Sequence, residues 1–279
     1  MIRIWGIPVT LHPLFVLVML FSIVTGQFLE LITLFCIVFI HEMGHVCASL
    51  LYGITVKSVQ LLPFGGVAVT EDHGRLTPSR EIIIALAGPL QNAVMILTAM
   101  LLRQIGVDAG FLTYFIGANA MIALFNLLPV LPLDGGRIVQ AAMSSRLPYY
   151  YTLLWTGRVS IVSSMLVLVH ALLPLLADEG PRLNLLLIGA FLLYANVTDH
   201  RNLPYRFMAF LMNRDAVYER SIRQGREASP IIAEPAKPLD EILRLFRRNQ
   251  YHCIYVMNNE HHVVAVIPEQ RVISSYFGK

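Results

Sequence analysis

His41, Glu42 and His45 are the residues whose types and spacing could do chemistry together. They form the run His41-Glu42-Met43-Gly44-His45, an H-E-x-x-H pattern. On a helix, residues four apart share one face, so both imidazoles can reach one metal ion. Glu42 follows the first histidine directly and can take a proton from a water on that ion. The surrounding apolar stretch, 28–51, has only Glu30 as a further acid. At membrane depth each ionisable side chain costs about 2.5–3.5 kcal/mol on insertion scales. Two histidines and a glutamate within one turn therefore need a compensating partner, and a bound Zn2+ is one. A chance match would mean little in a soluble helix. In an apolar span such residues are rare, and coincidence is the weaker explanation.

A two-histidine site still lacks a third protein ligand, and Asp134 can supply it. It is an isolated acid in Asn126-Leu127-Leu128-Pro129-Val130-Leu131-Pro132-Leu133-Asp134-Gly135-Gly136-Arg137. The two prolines predict a broken helix and an irregular segment around Asp134. Asn126 could hold a substrate backbone, although a helix-packing hydrogen bond would also explain a buried amide. His12 and His170 stand alone and read as interfacial or packed side chains.

The elements that must position these groups lie in a membrane. The chain of 279 residues is 56% hydrophobic and 14% charged, with mean hydropathy +0.63. A soluble domain carries about 25% charge, so this is an integral membrane protein. The net charge of +3 gives no reason to expect a nucleic-acid partner. Cys36, Cys47 and Cys253 have no spacing that implies a disulfide framework. The first ten residues hold one basic residue, Arg3, and no small-residue cleavage site, so no removable signal peptide is expected. Trp5 could anchor that segment at the interface.

Six apolar runs predict six transmembrane helices, at 11–25, 28–51, 82–102, 111–128, 149–176 and 183–197. Between the second and third, alternating residues at 56–61 and 67–70 flank Gly65-Gly66. They predict a membrane-associated β-hairpin or re-entrant loop, although a plain interfacial loop could carry the same residues. Such backbone is tolerated at membrane depth only where it is buried or lines a cavity. An exposed strand edge there could pair with an extended peptide. Beyond the spans the composition changes. The expected organisation is a six-helix transmembrane domain at 1–198, an arginine-rich linker helix at 199–230 and a small α+β domain at 231–279. The last region reads helix-strand-strand-helix, with strands at 253–257 and 263–267 and Pro268 opening the final helix.

Charge places the two motifs at one depth. With six spans both termini share a side. That side holds Arg3, Lys57, Arg75, Arg80, Arg137, Arg146 and the arginine-rich tail. The positive-inside rule puts it in the cytoplasm. The second and fourth spans then both run inward, bringing His41, His45 and Asp134 to the same leaflet.

Together these residues resemble the site-2 protease family of intramembrane zinc metalloproteases. The family pairs H-E-x-x-H on one transmembrane helix with an N-x-x-P-x-x-P-x-D-G-G-like segment near the end of another. Here these are residues 41–45 and 126–136. Ala87-Gly88-Pro89 with Asn92 looks like its third-helix motif, and 63–68 like its Gly-Gly membrane hairpin. The resemblance implies a metalloendopeptidase with one Zn2+ on His41, His45 and Asp134. Glu42 would be the general base, and Asn126, Pro132, Gly65 and Gly66 would meet an extended substrate. Leu62-Pro63-Phe64-Gly65-Gly66, Glu71-Asp72-His73-Gly74 and the short C-terminal domain are similar to the family's stage IV sporulation branch. That branch implies a C-terminal CBS-type module, with ATP bound where two units pair, hence a homo-oligomer. It also implies a membrane-associated sigma-factor precursor as substrate and inhibitory membrane proteins as partners. The location it implies is the mother-cell membrane around the forespore. Another membrane substrate, such as an anti-sigma factor, stays open. So does a metal-dependent membrane transporter or sensor, although polar groups gathered at one leaflet favour the protease. The intact Glu42 argues against an inactive scaffold.

Overall fold

The computed structural model describes residues 2–4, 7–11, 23, 26–62, 65–70, 76–177, 180–225, 227–258, 260 and 262–278. Most of the first predicted span, 11–25, lies outside the described residues. So do Trp5, His12, Pro63, Phe64 and residues 71–74. The chain divides into two compact units. One is Met1–Asp72, Arg80–Leu128 and Leu133–Gly135; the other is His73–Ser79, Pro129–Pro132 and Gly136–Lys279.

The first unit is built on three long apolar helices, α1 (Phe28–Leu51), almost all of α2 (Pro78–Gln104) and α3 (Ala109–Asn126). At 24, 27 and 18 residues and about 1.5 Å per residue, they match a hydrocarbon core of about 30 Å. Ile37 of α1, Met95 of α2 and Ala118 of α3 form a buried cluster, with Leu34, Phe115 and Ile122 packed against it. The Asp108 side chain caps α3 by accepting from Gly110 N at 2.9 Å. Leu90, Leu97, Leu101 and Leu124 stay exposed on the helices, as an apolar solvent requires.

The same unit holds a four-stranded sheet of β1 (Ile2–Ile4), β2 (Ile7–Leu11), β3 (Val56–Leu62) and β4 (Gly65–Thr70), in that order. The predicted hairpin forms as β3 and β4, antiparallel, with Leu62 opposite Gly65 and Leu61 opposite Gly66. Gly65 and Gly66 thus lie in strand β4 rather than in the turn. The N-terminal residues, expected to be a short interfacial segment, form a hairpin. Its second strand runs parallel to β3, with Val9 opposite Val59. That pairing is distant in sequence and leaves no local pattern to read.

The second unit contains α5 (Tyr149–Leu172), which tightens into a 3-10 turn at Leu173–Ala177, and α6 (Leu183–Arg201). Five helices are therefore long and apolar enough to cross a membrane among the described residues. Asp134 does not lie in an irregular segment, as the prolines predicted. It opens helix α4 (Asp134–Ser144), which begins in the first unit and continues in the second.

Beyond α6 the arginine-rich stretch forms two helices, α7 (Leu203–Met212) and α8 (Asp215–Arg223), where one was expected. Strands β5 (Ser229–Ala233), β6 (His252–Met257) and β7 (Val263–Pro268) make a sheet with helices α9 (Leu239–Leu243) and α10 (Glu269–Phe277). The expected helix-strand-strand-helix order is α9-β6-β7-α10. Strand β5 is additional and pairs parallel to β6. Its Pro230 argues against a strand in sequence, but an edge position tolerates proline. Phe210, Ile231, Leu243, Phe246, Ile254 and Val272 share one core with Tyr149 and Leu153 at the start of α5. Tyr149 N also donates to Phe246 O at 2.9 Å.

A buried ion pair ties the α7–α8 junction to that sheet. Arg214 and Glu269 are 1% and 0% exposed. Arg214 donates to Glu269 from Nε at 3.1 Å and from Nη2 at 2.6 Å, and to Arg247 O at 2.6 Å. His252 N donates to Glu269 Oε2 at 3.0 Å. Removing one partner of such a pair leaves an uncompensated buried charge. Glu269→Ala is expected to cost about 3–5 kcal/mol, read as a lower midpoint of thermal unfolding in detergent. Arg214→Met with Glu269→Met should recover part of the loss. Burial, only partly offset by Glu269, holds His252 below its ordinary value of 6.5. The unfolded chain then gains a proton first as pH falls. The stability that neutral His252 contributes is present above about pH 6.5 and is lost below it.

Candidate metal centre and active site

Helix α1 places His41 and His45 on one face, and the start of α4 brings Asp134 to them. His41, His45 and Asp134 are 2%, 7% and 6% exposed. The two Nε2 atoms stand 3.2 Å apart, and each is 3.1 Å from Asp134 Oδ2. Glu42 is buried on the same helix, next in sequence to His41.

The other ring nitrogens decide what this cluster can hold. His41 Nδ1 lies 2.6 Å from Asn92 Oδ1 and His45 Nδ1 lies 2.7 Å from Ile84 O. The carbonyl can only accept. The Asn92 amide is oriented because its Nδ2 donates to Asn119 Oδ1 at 3.0 Å. Asn119 Nδ2 in turn donates to Phe115 O at 2.9 Å. Both Nδ1 atoms therefore carry the ring proton, and both Nε2 atoms present lone pairs. Three electron-rich atoms converge in a buried spot, which is repulsive unless a cation sits among them. Tetrahedral zinc with ligands at about 2.0–2.1 Å would hold such atoms about 3.3–3.4 Å apart. The observed separations and the donor set of two imidazoles and a carboxylate fit that ion. The hydrogen bonds to Asn92 and Ile84 are the outer contacts that fix metal-binding histidines elsewhere.

Two glycine positions make this approach possible. A Cβ on Gly88 would stand 2.3 Å from His45 Nε2 and 2.6 Å from His41 Nε2. A Cβ on Gly135 would stand 2.2 Å from Leu127 O and 2.4 Å from Leu128 O. Only a residue without a side chain lets the end of α3 fold back so closely on the first turn of α4, the turn that carries Asp134.

The remaining sequence candidates make local contacts. Half-buried Asn126 closes α3 and donates from Nδ2 to Ile122 O of its own helix at 3.1 Å. Pro132 is exposed and follows a cis peptide bond. Gly65 and Gly66 pair along β3. Sequence reasoning placed Gly88 and Asn92 in the family's third-helix motif but did not assign Asn92, Asn119 or Ile84 O any contact with a histidine. One signal was present: Gly88 and Asn92 are four apart in α2, the same spacing as the two histidines.

The arrangement agrees with comparisons to known proteins. The model of Peptidase family M50 matches residues 29–108 and 102–168, which include both histidines, Glu42 and Asp134. The chain is 26% identical over 269 residues to Stage IV sporulation protein FB of Bacillus subtilis, covering 95% of this chain and 90% of that protein. It is 24% identical over 269 residues to a zinc metalloprotease of Methanocaldococcus jannaschii, covering 92% of this chain and 74% of that one. Among solved structures, the site-2 protease from Methanocaldococcus jannaschii superposes with a TM-score of 0.57 at 28% identity. That match covers 72% of this chain and 94% of the other. Buried histidines from one spanning helix, a carboxylate from the opening of a short helix and the matched family together identify the chain as a member of peptidase family M50, the site-2 proteases, and an intramembrane metalloendopeptidase of that type.

Proposed function

We propose that His41, His45 and Asp134 hold one Zn2+ per chain and that Glu42 is the general base of peptide hydrolysis. The observation that carries this reading is the pair of locked Nδ1 donors, which turn two lone pairs toward the Asp134 carboxylate. Bound there, zinc supplies Lewis acidity that brings the pKa of water toward about 7 and polarises the scissile carbonyl. Glu42 accepts the proton that the attacking water gives up and returns it to the departing amine. Asn92 and Ile84 O keep the imidazoles from turning. A helical peptide bond hides its carbonyl in the helix ladder, so the substrate must be extended where it is cut. Asn126, Pro132 and the β4 residues Gly65 and Gly66 are the positions that receive it. Strand β4 ends its sheet, and such an edge can take a further strand.

The substrate is read as a membrane-associated sigma-factor precursor processed during sporulation, in the mother-cell membrane and under inhibitory membrane partners. Likeness to a stage IV sporulation protein over nearly the whole chain supports this. Both termini are placed in the cytoplasm by the charge pattern. Functionally, 1–198 is the protease, 199–230 the linker and 231–279 a CBS-like regulatory module. ATP would bind that module between two copies of the chain.

The test uses the full chain purified in detergent. Cleavage of a membrane-tethered sigma-factor precursor should stop when a chelator removes the metal and return with zinc. Zinc-dependent cleavage of a membrane-anchored anti-sigma factor alone would keep the protease and overturn the sporulation substrate. Cleavage that survives complete metal removal would overturn the ligand assignment.

A further inference from the structure

Helices α5 and α6 carry no group with evident chemistry, yet α5 buries four hydroxyls one turn apart: Thr152, Thr156, Ser160 and Ser164. Close packing would explain their small size but not their bonding partners. Ser160 Oγ accepts from Leu131 N at 2.9 Å. Asn196 of α6 donates through Nδ2 to Leu131 O at 2.7 Å and to Ser164 Oγ at 3.0 Å. Both backbone groups of one buried loop residue are thus satisfied by side chains, which a loop without ladder partners requires. Leu131 stands three residues before Asp134.

Six residues after Asp134 the chain is tied to the same helix. Gln140 of α4 donates from Nε2 to Thr156 Oγ1 at 2.9 Å and accepts from Arg206 Nη2 at 2.9 Å. Arg206 holds Asp199 through Nη1 at 2.8 and 2.7 Å. The backbone that enters Asp134 and the helix that leaves it are therefore fastened to residues 160 and 156, adjacent turns of α5.

We infer that Ser160 and Asn196 are positioning residues for the metal site: by clamping the Leu131 peptide they fix where Asp134 presents its carboxylate. This rests on the reading of Asp134 as a metal ligand. The Ser160 and Asn196 side chains bond Leu131 and Ser164, so both act on Asp134 through three residues of backbone. Loss of the clamp lets the carboxylate drift while the imidazoles, held by Asn92 and Ile84, stay in place.

The experiment replaces the metal with cobalt(II) in the full-length protein in detergent. Chelator competition, the visible spectrum and the separation of kcat from KM are then read. Ser160→Ala and Asn196→Asp should each lose cobalt about tenfold more readily, the low end for residues that orient ligands. Each should weaken the tetrahedral cobalt band and lower kcat with KM unchanged. Ser160→Thr keeps the oxygen and should behave as the wild type. So should Thr152→Ala, whose equally buried hydroxyl bonds only Pro148 O among the described residues, at 3.2 Å. If Ser160→Ala and Asn196→Asp retain cobalt and spectrum like the wild type, the clamp does not position Asp134. Equal loss from Thr152→Ala would show a packing effect and overturn it as well. Should Asn196→Asp fail to fold, the comparison of Ser160→Ala with Ser160→Thr decides. Asp134→Asn separates the premise: an unchanged spectrum in that variant removes Asp134 from the ligands, and the inference falls with it.

Discussion

Gly88→Ala is expected to strip the metal from the full-length protein and abolish cleavage. A methyl at this position would stand 2.3 Å and 2.6 Å from the Nε2 atoms of His45 and His41. Real Cβ contacts essentially never fall below 3.0 Å. The methyl would therefore take space at the very atoms proposed to bind the ion. The imidazoles cannot easily swing away, because each is held through Nδ1 by Asn92 or Ile84 O. Alanine is a better helix former than glycine by about 1 kcal/mol, so α2 itself is not weakened. The loss is thus local to the centre. Metal analysis of the purified variant should show the zinc content falling from about one per chain toward zero, with insertion and yield retained. A Gly88→Ala protein that keeps its zinc would place the ion away from these two nitrogens.

The histidine pair and Asp134 were legible because charge is expensive in an apolar span, so three ionisable residues at a common depth stand out. The helix that Asp134 opens was hidden. Asp134-Gly135-Gly136 follows two prolines, and each glycine costs a helix about 1 kcal/mol. Tertiary contact overrides that preference, since Gly135 sits against the carbonyls of Leu127 and Leu128. Asn92 was named in the third-helix motif, but its contact with His41 was hidden for a different reason. An amide in an apolar helix reads as packing, and its histidine partner lies 51 residues away. Spacing cannot reveal such a pair. The Leu131 clamp is less visible still, because serines and an asparagine in α5 and α6 match the small and polar residues by which membrane helices associate. Strand β5 failed on Pro230, while β1 and β2 failed on their shortness and on a parallel pairing remote in sequence. Patterns within one element were therefore readable, as were the local β3–β4 pairing and the triad that charge at one depth revealed; the other contacts between distant elements were not.

Glu42→Gln should separate chemistry from metal binding. Glutamine matches glutamate in size and can remain buried, but it has no carboxylate to accept a proton. General acid–base groups contribute about 10²–10⁴-fold, so kcat should fall by that range. KM should stay near the wild-type value, since proton transfer is an interaction of the transition state. His41, His45 and Asp134 keep their mutual geometry in this variant, and both Nδ1 contacts persist, so zinc should remain bound at about one per chain. Gly88→Ala loses metal and cleavage together, whereas Glu42→Gln loses cleavage alone. If Glu42→Gln also loses zinc, the glutamate is a ligand and the base must be sought elsewhere. If it cleaves at the wild-type rate, proton transfer bypasses residue 42, and the H-E-x-x-H run supplies only its two histidines.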